Sequence, residues 1–352
     1  MFGLSIISII LHHFFEDVRN YTSSGAMYNI ADIHHIIIGA IGVDVFVFLS
    51  GMGLYFSMKK NSNIRIFYFR RFKRLAVPYL MIGGIFWIIR DIFILKYSAQ
   101  QFLLDLTTLS FWMQGVGIVW FVSFISVMYL LYPAIFKIFD RENQKSKFAF
   151  FVLLMMIWLA LIGLLYLKFG NVFSNIHNAL WRVPIFIFGA YIAEKIYKKE
   201  KFDFWVYILL ALSALIKIVY IIFYYIGVES AKSIMLNRMV SELFTPAMIF
   251  IVFLLLIFVH SRIRKLLADI GSISLELYVS HVTIRAIMLS LNIETWIWYN
   301  YCICIILSVL ISVIVNIIQK KIFKPEINNN RKWKEAFGTY AFEGQVSEIA
   351  TV

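Results

Sequence analysis

Long apolar runs alternate with basic clusters along this chain, and that alternation limits its possible folds more than any other feature. The pattern is densest in Ile36–Tyr79. An apolar run that holds one acid, Asp44, ends in Ser50-Gly51-Met52-Gly53. The cluster Arg70-Arg71-Phe72-Lys73-Arg74 follows, and a second apolar run opens through Pro78. Two membrane-crossing helices joined by a cationic connection have this form. Composition agrees: 61% of the residues are hydrophobic and 15% charged, against about 45–50% and about 25% in soluble domains. No soluble core could hide so much Ile, Leu and Phe, so lipid must be the solvent.

Apolar spans are read at about 2–15, 34–58, 74–95, 115–137, 148–168, 181–197, 204–226, 243–260, 271–291 and 295–319. About 20 residues at about 1.5 Å each match a hydrocarbon core of about 30 Å. The first span falls short of that. Most of the 33 Lys and Arg residues lie in 59–74, 137–147, 195–201, 262–265 and the tail. These segments occupy every second connection and the C-terminus. Positive residues stay inside. The expectation is an all-α, polytopic bundle of about ten transmembrane helices with both termini cytoplasmic, in the plasma membrane. Its membrane domain is 1–324, and 325–352 is a polar, loosely ordered cytoplasmic tail. The outer connections, about 16–33, 96–114, 169–180, 227–242 and 292–294, read as short loops. The net charge of +13 does not point to nucleic acid, because the cations sit between apolar runs. Cys302 and Cys304 are two apart in an apolar run and read as packing. No cleavable signal peptide is visible.

In a bilayer the informative residues are polar ones at depth, which must be paired or do work. His12 and His13 close the first span, with Glu16 and Asp17 within a turn. His13 and Glu16, three apart, can share a helical face. A carboxylate there could orient an imidazole for general-base chemistry, or the histidines could simply anchor a helix end. His34 and His35 open the second span. Adjacent histidines diverge on a helix, so each pair offers one ligand at most, and no metal site is expected. Asp44 reads as the partner of an intramembrane arginine, Arg182 or Arg90, or as a working acid. Glu276 and His281, five apart, do not share a stripe and are not read as a dyad. Arg71 and Arg74, three apart beside Arg70, could face one anionic group such as a phosphate.

Six stretches in order resemble the acyltransferase family 3 membrane proteins. Gly3 through His13 resembles the family's first span, which ends in a catalytic histidine. Gly42 through Gly51 is similar to G-V-x-x-F-F-x-L-S-G, and Phe67 through Tyr79 to F-x-x-R-R-x-x-R-[IL]-x-P-x-Y. Trp120-Phe121 through Tyr132-Pro133 resembles the W-F-L…Y…P span. Arg182 through Gly189 resembles R-x-P-x-F-x-x-G, and Ser274 through His281 the closing S-x-x-L-Y-x-x-H. One departure stands out: the family carries an arginine eleven residues before the histidine, and here that position is Phe2. A natural start lying upstream, or a change in activity, would each account for it.

The resemblance implies an O-acyltransferase that moves an acyl group, acetyl above all, from cytoplasmic acyl-CoA to a hydroxyl of a cell-surface polysaccharide or lipid-linked sugar. Acyl-CoA is then a donor substrate, and no tightly bound cofactor is expected. His13 would act as base or transient acyl carrier. Glu16 or Asp44 would orient it, Arg182 would stabilise the oxyanion, and Arg70, Arg71, Arg74 and Trp120 would hold the donor. The competing readings are a transporter or flippase of a sugar-lipid or small solute, with the buried ionisable residues as a relay, and a catalytically inactive family member.

Overall fold

The computed structural model describes residues 1–39, 41–140, 144–202, 204–228 and 234–322, and its regular structure is entirely helical among them. The helices are α1 (Phe2–Tyr21), α2 (Ala26–Ile37), α3 (Ile41–Lys60), α4 (Ile64–Ile94), α5 (Ala99–Leu106), α6 (Leu109–Gln114) and α7 (Trp120–Phe139). They continue with α8 (Gln144–Lys168), α9 (Gly170–Leu180), α10 (Val183–Lys198), α11 (Phe204–Tyr225), α12 (Ile234–Phe258), α13 (Ser261–Ser272), α14 (Ser274–Ser290) and α15 (Trp298–Ile322). Eight helical segments among the described residues are long and apolar enough to cross a membrane. Neither α1, with its charged last turns, nor the 17-residue α14 is among them. The expected tail 325–352 and Arg141 lie outside the described residues.

Several boundaries differ from the sequence reading, each for a physical reason. The first helix runs 20 residues instead of stopping at about 15, which at about 1.5 Å per residue is about 30 Å. Its last turns stay helical although charged, because Asp17 and Arg19 find partners on other helices. Arg19 reaches Asp32 of α2 at 3.2 Å, and Asp17 meets α14. The span read at 34–58 is two helices. The α2 helix closes where the N–H groups of Ile38 and Gly39 both return to the His34 carbonyl, with Gly39 at φ 50°, a left-handed ending suited to glycine. The cluster Arg70–Arg74 lies within a helix, not in a connection. Asn63 caps α4 early, its side chain accepting from the Ile66 N–H at 3.1 Å, as N-caps do. Beyond Tyr79 this helix passes through π turns at Leu80–Gly84 and Ile88–Ile94. The outer segments are largely helical too, forming α5, α6, α9 and the ends of α2 and α12.

The tightest helix pair is α3 with α10. The two run parallel, Asp44 meeting Arg182 at their starts and Tyr55 and Phe56 meeting Tyr197 near their ends. Two glycines allow the approach. A Cβ on Gly51 would overlap the Phe186 carbonyl oxygen, and one on Gly189 would overlap that of Phe48. Small residues of this kind let helix backbones touch in lipid, where little else drives association. The α1 helix crosses α3 antiparallel in the same close manner: the Ser5 hydroxyl donates to the Gly42 carbonyl. A Cβ on Gly42 would sit 2.9 Å from the Ser8 side chain.

One end of the bundle is bound together by charge. Lys59 contacts Asp140 at 2.6 Å, and Asp140 also accepts from the Tyr55 hydroxyl at 3.1 Å. Lys147 and Lys198 both grip Glu194, the former in a fully buried pair. These contacts tie α3 to α7 and α8 to α10, so the cations there do structural work. The opposite end is where α1 and α4 finish.

Candidate active site

The site begins with a property of every helix: successive side chains point about 100° apart. His12 and His13 therefore leave α1 in different directions, their ring centroids 6.0 Å apart, and each enters its own polar cluster.

His13 faces α14. Its ring stacks on that of His281, with centroids 5.3 Å apart and planes 17° from parallel. His281 is fully buried and held on both sides. Its Nε2 lies 3.1 Å from the Tyr301 hydroxyl, which donates to the Ile10 carbonyl. The tautomer follows from the hydroxyl's single proton: it goes to the carbonyl, which can only accept, so Nε2 of His281 must carry the hydrogen. Cys304, a free thiol, sits 3.9 Å from Nδ1. One turn further along α14, Arg285 donates from Nε to Asp17 at 2.8 Å and from Nη2 to Glu16 at 3.1 Å, with a second contact to Asp17. Thr295 closes the group by donating to Asp17 at 2.7 Å. In contrast, Nδ1 of His13 is buried and has no hydrogen-bond partner. Replacing Tyr301 by Phe strands the His281 N–H. The expected cost is about 1–3 kcal/mol, read as a lower unfolding temperature of the detergent-solubilised protein. An unchanged temperature would mean that the ring is not held this way.

His12 faces α2 and α12. Its ring lies 5.9 Å from that of His34 and 6.5 Å from that of His35. It lines a small cavity of about 20 Å³ with His35, Asp44, Asn237, Arg238 and Glu242 among the walls. Asp44 is the anchor of this cluster. Arg182 approaches it at 3.3 Å and Thr245 donates to it at 3.2 Å. The guanidinium of Arg182 also donates to the Asn178 carbonyl at 2.7 Å and lies 4.8 Å over the Trp120 ring. Both ions are almost fully buried.

The structure sorts the residues singled out in the sequence. Asp44 pairs with Arg182, one of its two candidates, while the other, Arg90, pairs with Asp91 at 2.9 Å. Glu16, read as an orienting partner for His13, is engaged by Arg285 instead. Glu276 accepts from Asn316 at 3.3 Å and stands apart from His281. Trp120 was grouped with the arginines of α4, but its ring carries Arg182. Arg71, at the other end of the bundle, lies 5.9 Å over the Phe67 ring with its Nε buried and unpartnered, and Arg70 and Arg74 stay exposed beside it. Sequence reasoning missed Arg285, Tyr301 and Arg238. The available signal was Arg285: a cation in an apolar helix with no acid near it in sequence must find one on another helix.

What the arrangement can do chemically is limited. Among the described residues no group of three or more His, Cys, Asp or Glu could hold a metal ion. A buried imidazole with one free nitrogen can take a proton from a hydroxyl or attack an acyl carbon. No curated protein and no solved structure matches the chain. A family model described as an acyltransferase domain matches residues 3–317. With nearly its whole length covered, and with the first-span histidine set against a buried polar cluster, the chain belongs to the acyltransferase family 3.

Proposed function

We propose that this membrane acyltransferase is a plasma-membrane O-acyltransferase of about ten spans with both termini cytoplasmic. It moves an acyl group, acetyl above all, from acyl-CoA to a hydroxyl of a cell-surface polysaccharide or lipid-linked sugar. His12 and His13 both have a buried, unpartnered Nδ1; the observation that carries this reading is that only His13 stacks on an imidazole whose own hydrogen bonds are filled. The donor's phosphates bind Arg70, Arg71 and Arg74 at the basic end. The unpartnered guanidinium nitrogen of Arg71 supports this, since a buried orphan donor calls for an acceptor.

In the reaction His13 takes the proton from the acceptor hydroxyl as its oxygen attacks the thioester carbonyl carbon. The carbon–sulfur bond then breaks, and the proton passes to the departing CoA thiolate. Arg182 belongs to the neighbouring cluster of His12, whose ring lies 6.0 Å from that of His13, and from there supplies positive charge for the developing oxyanion. Asp44, Asn178 and Trp120 hold Arg182 in place. Glu16 and Asp17 serve indirectly by fixing Arg285. Replacing His13 by Ala is expected to lower glycan O-acetylation in cells by about 10²–10⁴-fold. Acetylation at the wild-type level would remove His13 from the chemistry.

A further inference from the structure

A second pocket lies at the end where α4 finishes, and none of its lining residues belongs to either histidine cluster. Its volume is about 470 Å³, within the roughly 300–1,000 Å³ usual for small-molecule sites. Arg90, Tyr97, Ser98, Gln101, Asp105 and Gln114 line it, with Val116 as the apolar member. In a chain that is 61% hydrophobic, so dense a set of polar side chains calls for an explanation.

Those side chains are held in place before any ligand arrives. Gln101 and Gln114 exchange amide hydrogen bonds at 2.8 and 3.0 Å, and Gln101 also donates to Asp105 at 3.1 Å. The guanidinium of Arg90 is held against the rings of Trp87 and Tyr97, at 5.4 and 5.8 Å, and paired to Asp91. Asp91 and Asp105 are both almost completely buried and face each other closely enough to hydrogen-bond, and of the two only Asp105 borders the pocket. Fixed amides, a fixed guanidinium, a hydroxyl and a carboxyl group offer donors and acceptors side by side. Among the lining residues one cation faces one acid, which leaves no surplus positive charge for an anionic ligand. Neutral vicinal hydroxyls, each both donor and acceptor, fit this set best.

We infer that this pocket binds a neutral pyranose unit, with Gln101, Gln114, Arg90 and Asp105 taking its hydroxyls and Tyr97 bordering the ring. The inference deepens the acyltransferase reading, on which the role of the bound sugar as part of the acceptor rests, whereas the binding itself does not.

Full-length protein in detergent is titrated with methyl α-glucopyranoside, methyl β-galactopyranoside and N-acetylglucosamine, with saturation-transfer NMR as readout. At least one of the three is expected to receive magnetisation from wild-type protein. Tyr97→Ala and Gln114→Ala change exposed side chains and are expected to unfold at the wild-type temperature. Each is expected to weaken that sugar's binding about tenfold or more. His13→Ala is expected to bind the sugar as wild type does, so a failure of the catalytic reading leaves this result standing. Transfer to none of the three sugars, or undiminished binding in both pocket variants, would overturn the inference. So would binding of Ca²⁺ at the two acids with no sugar bound.

Discussion

Replacing Arg285 by Met is expected to cost about 3–5 kcal/mol of stability, the usual consequence of stranding one member of a buried ion pair. Asp17 is 1% exposed and depends on Arg285 and Thr295. Removing the guanidinium leaves its carboxylate between α1, α14 and the Thr295 turn with a single hydroxyl. Glu16, which is 44% exposed at its side chain, can turn to water and suffers less. The double variant Asp17→Asn with Arg285→Met removes both charges and is expected to recover much of the loss. Thermal unfolding of the four proteins in detergent closes the cycle. If the arginine variant melts with the wild type, the pair does not hold α1 to α14, and the placement of His13 against His281 loses its support.

The second large effect concerns backbone contact. Gly189→Leu is expected to abolish stable protein, and Gly189→Ala to cost about 1–3 kcal/mol, because any Cβ there overlaps the Phe48 carbonyl. Gly51 should behave alike against Phe186. Gly53 provides the control on the same helix. A Cβ at that position meets nothing within 4 Å, so Gly53→Ala is expected to be neutral or slightly stabilising. The readout is the fraction of monodisperse protein that survives heating. Equal survival of the Gly189 and Gly53 alanine variants would contradict the close α3–α10 crossing. Because that crossing sets Asp44 against Arg182, a tolerated but loosened variant should also lose activity.

Much of this was legible in the residues. Lipid as solvent followed from composition, and Asp44 announced an arginine partner because an unpaired acid at that depth is costly. Charge misled where it was internal. Glu16, Asp17 and Arg19 looked like the end of a helix, yet α1 runs past them because their partners lie on distant helices. Arg70–Arg74 read as part of a connection, yet the Asn63 cap starts α4 well before them. The divergence of His12 and His13 followed from helix geometry, but which one would meet α14 depended on the rotation of α1, which no local pattern sets. Nor could spacing bring Gln101 to Gln114, or Arg90 to Tyr97, since short helices join them through turns at Lys96 and Thr108 with positive φ.

The parallel run of α3 and α10 has a consequence for biosynthesis. Parallel neighbours cannot be joined by a tight turn, and here three long helices, α4, α7 and α8, come between them. Asp44 must therefore leave the ribosome and enter the bilayer long before Arg182 exists. At roughly 5–20 residues per second the delay is on the order of ten seconds. During that interval the nascent acid has to stay protonated, remain near the translocon's aqueous lining or borrow a temporary counter-charge. Its final neutralisation waits until α10 has entered beside α3.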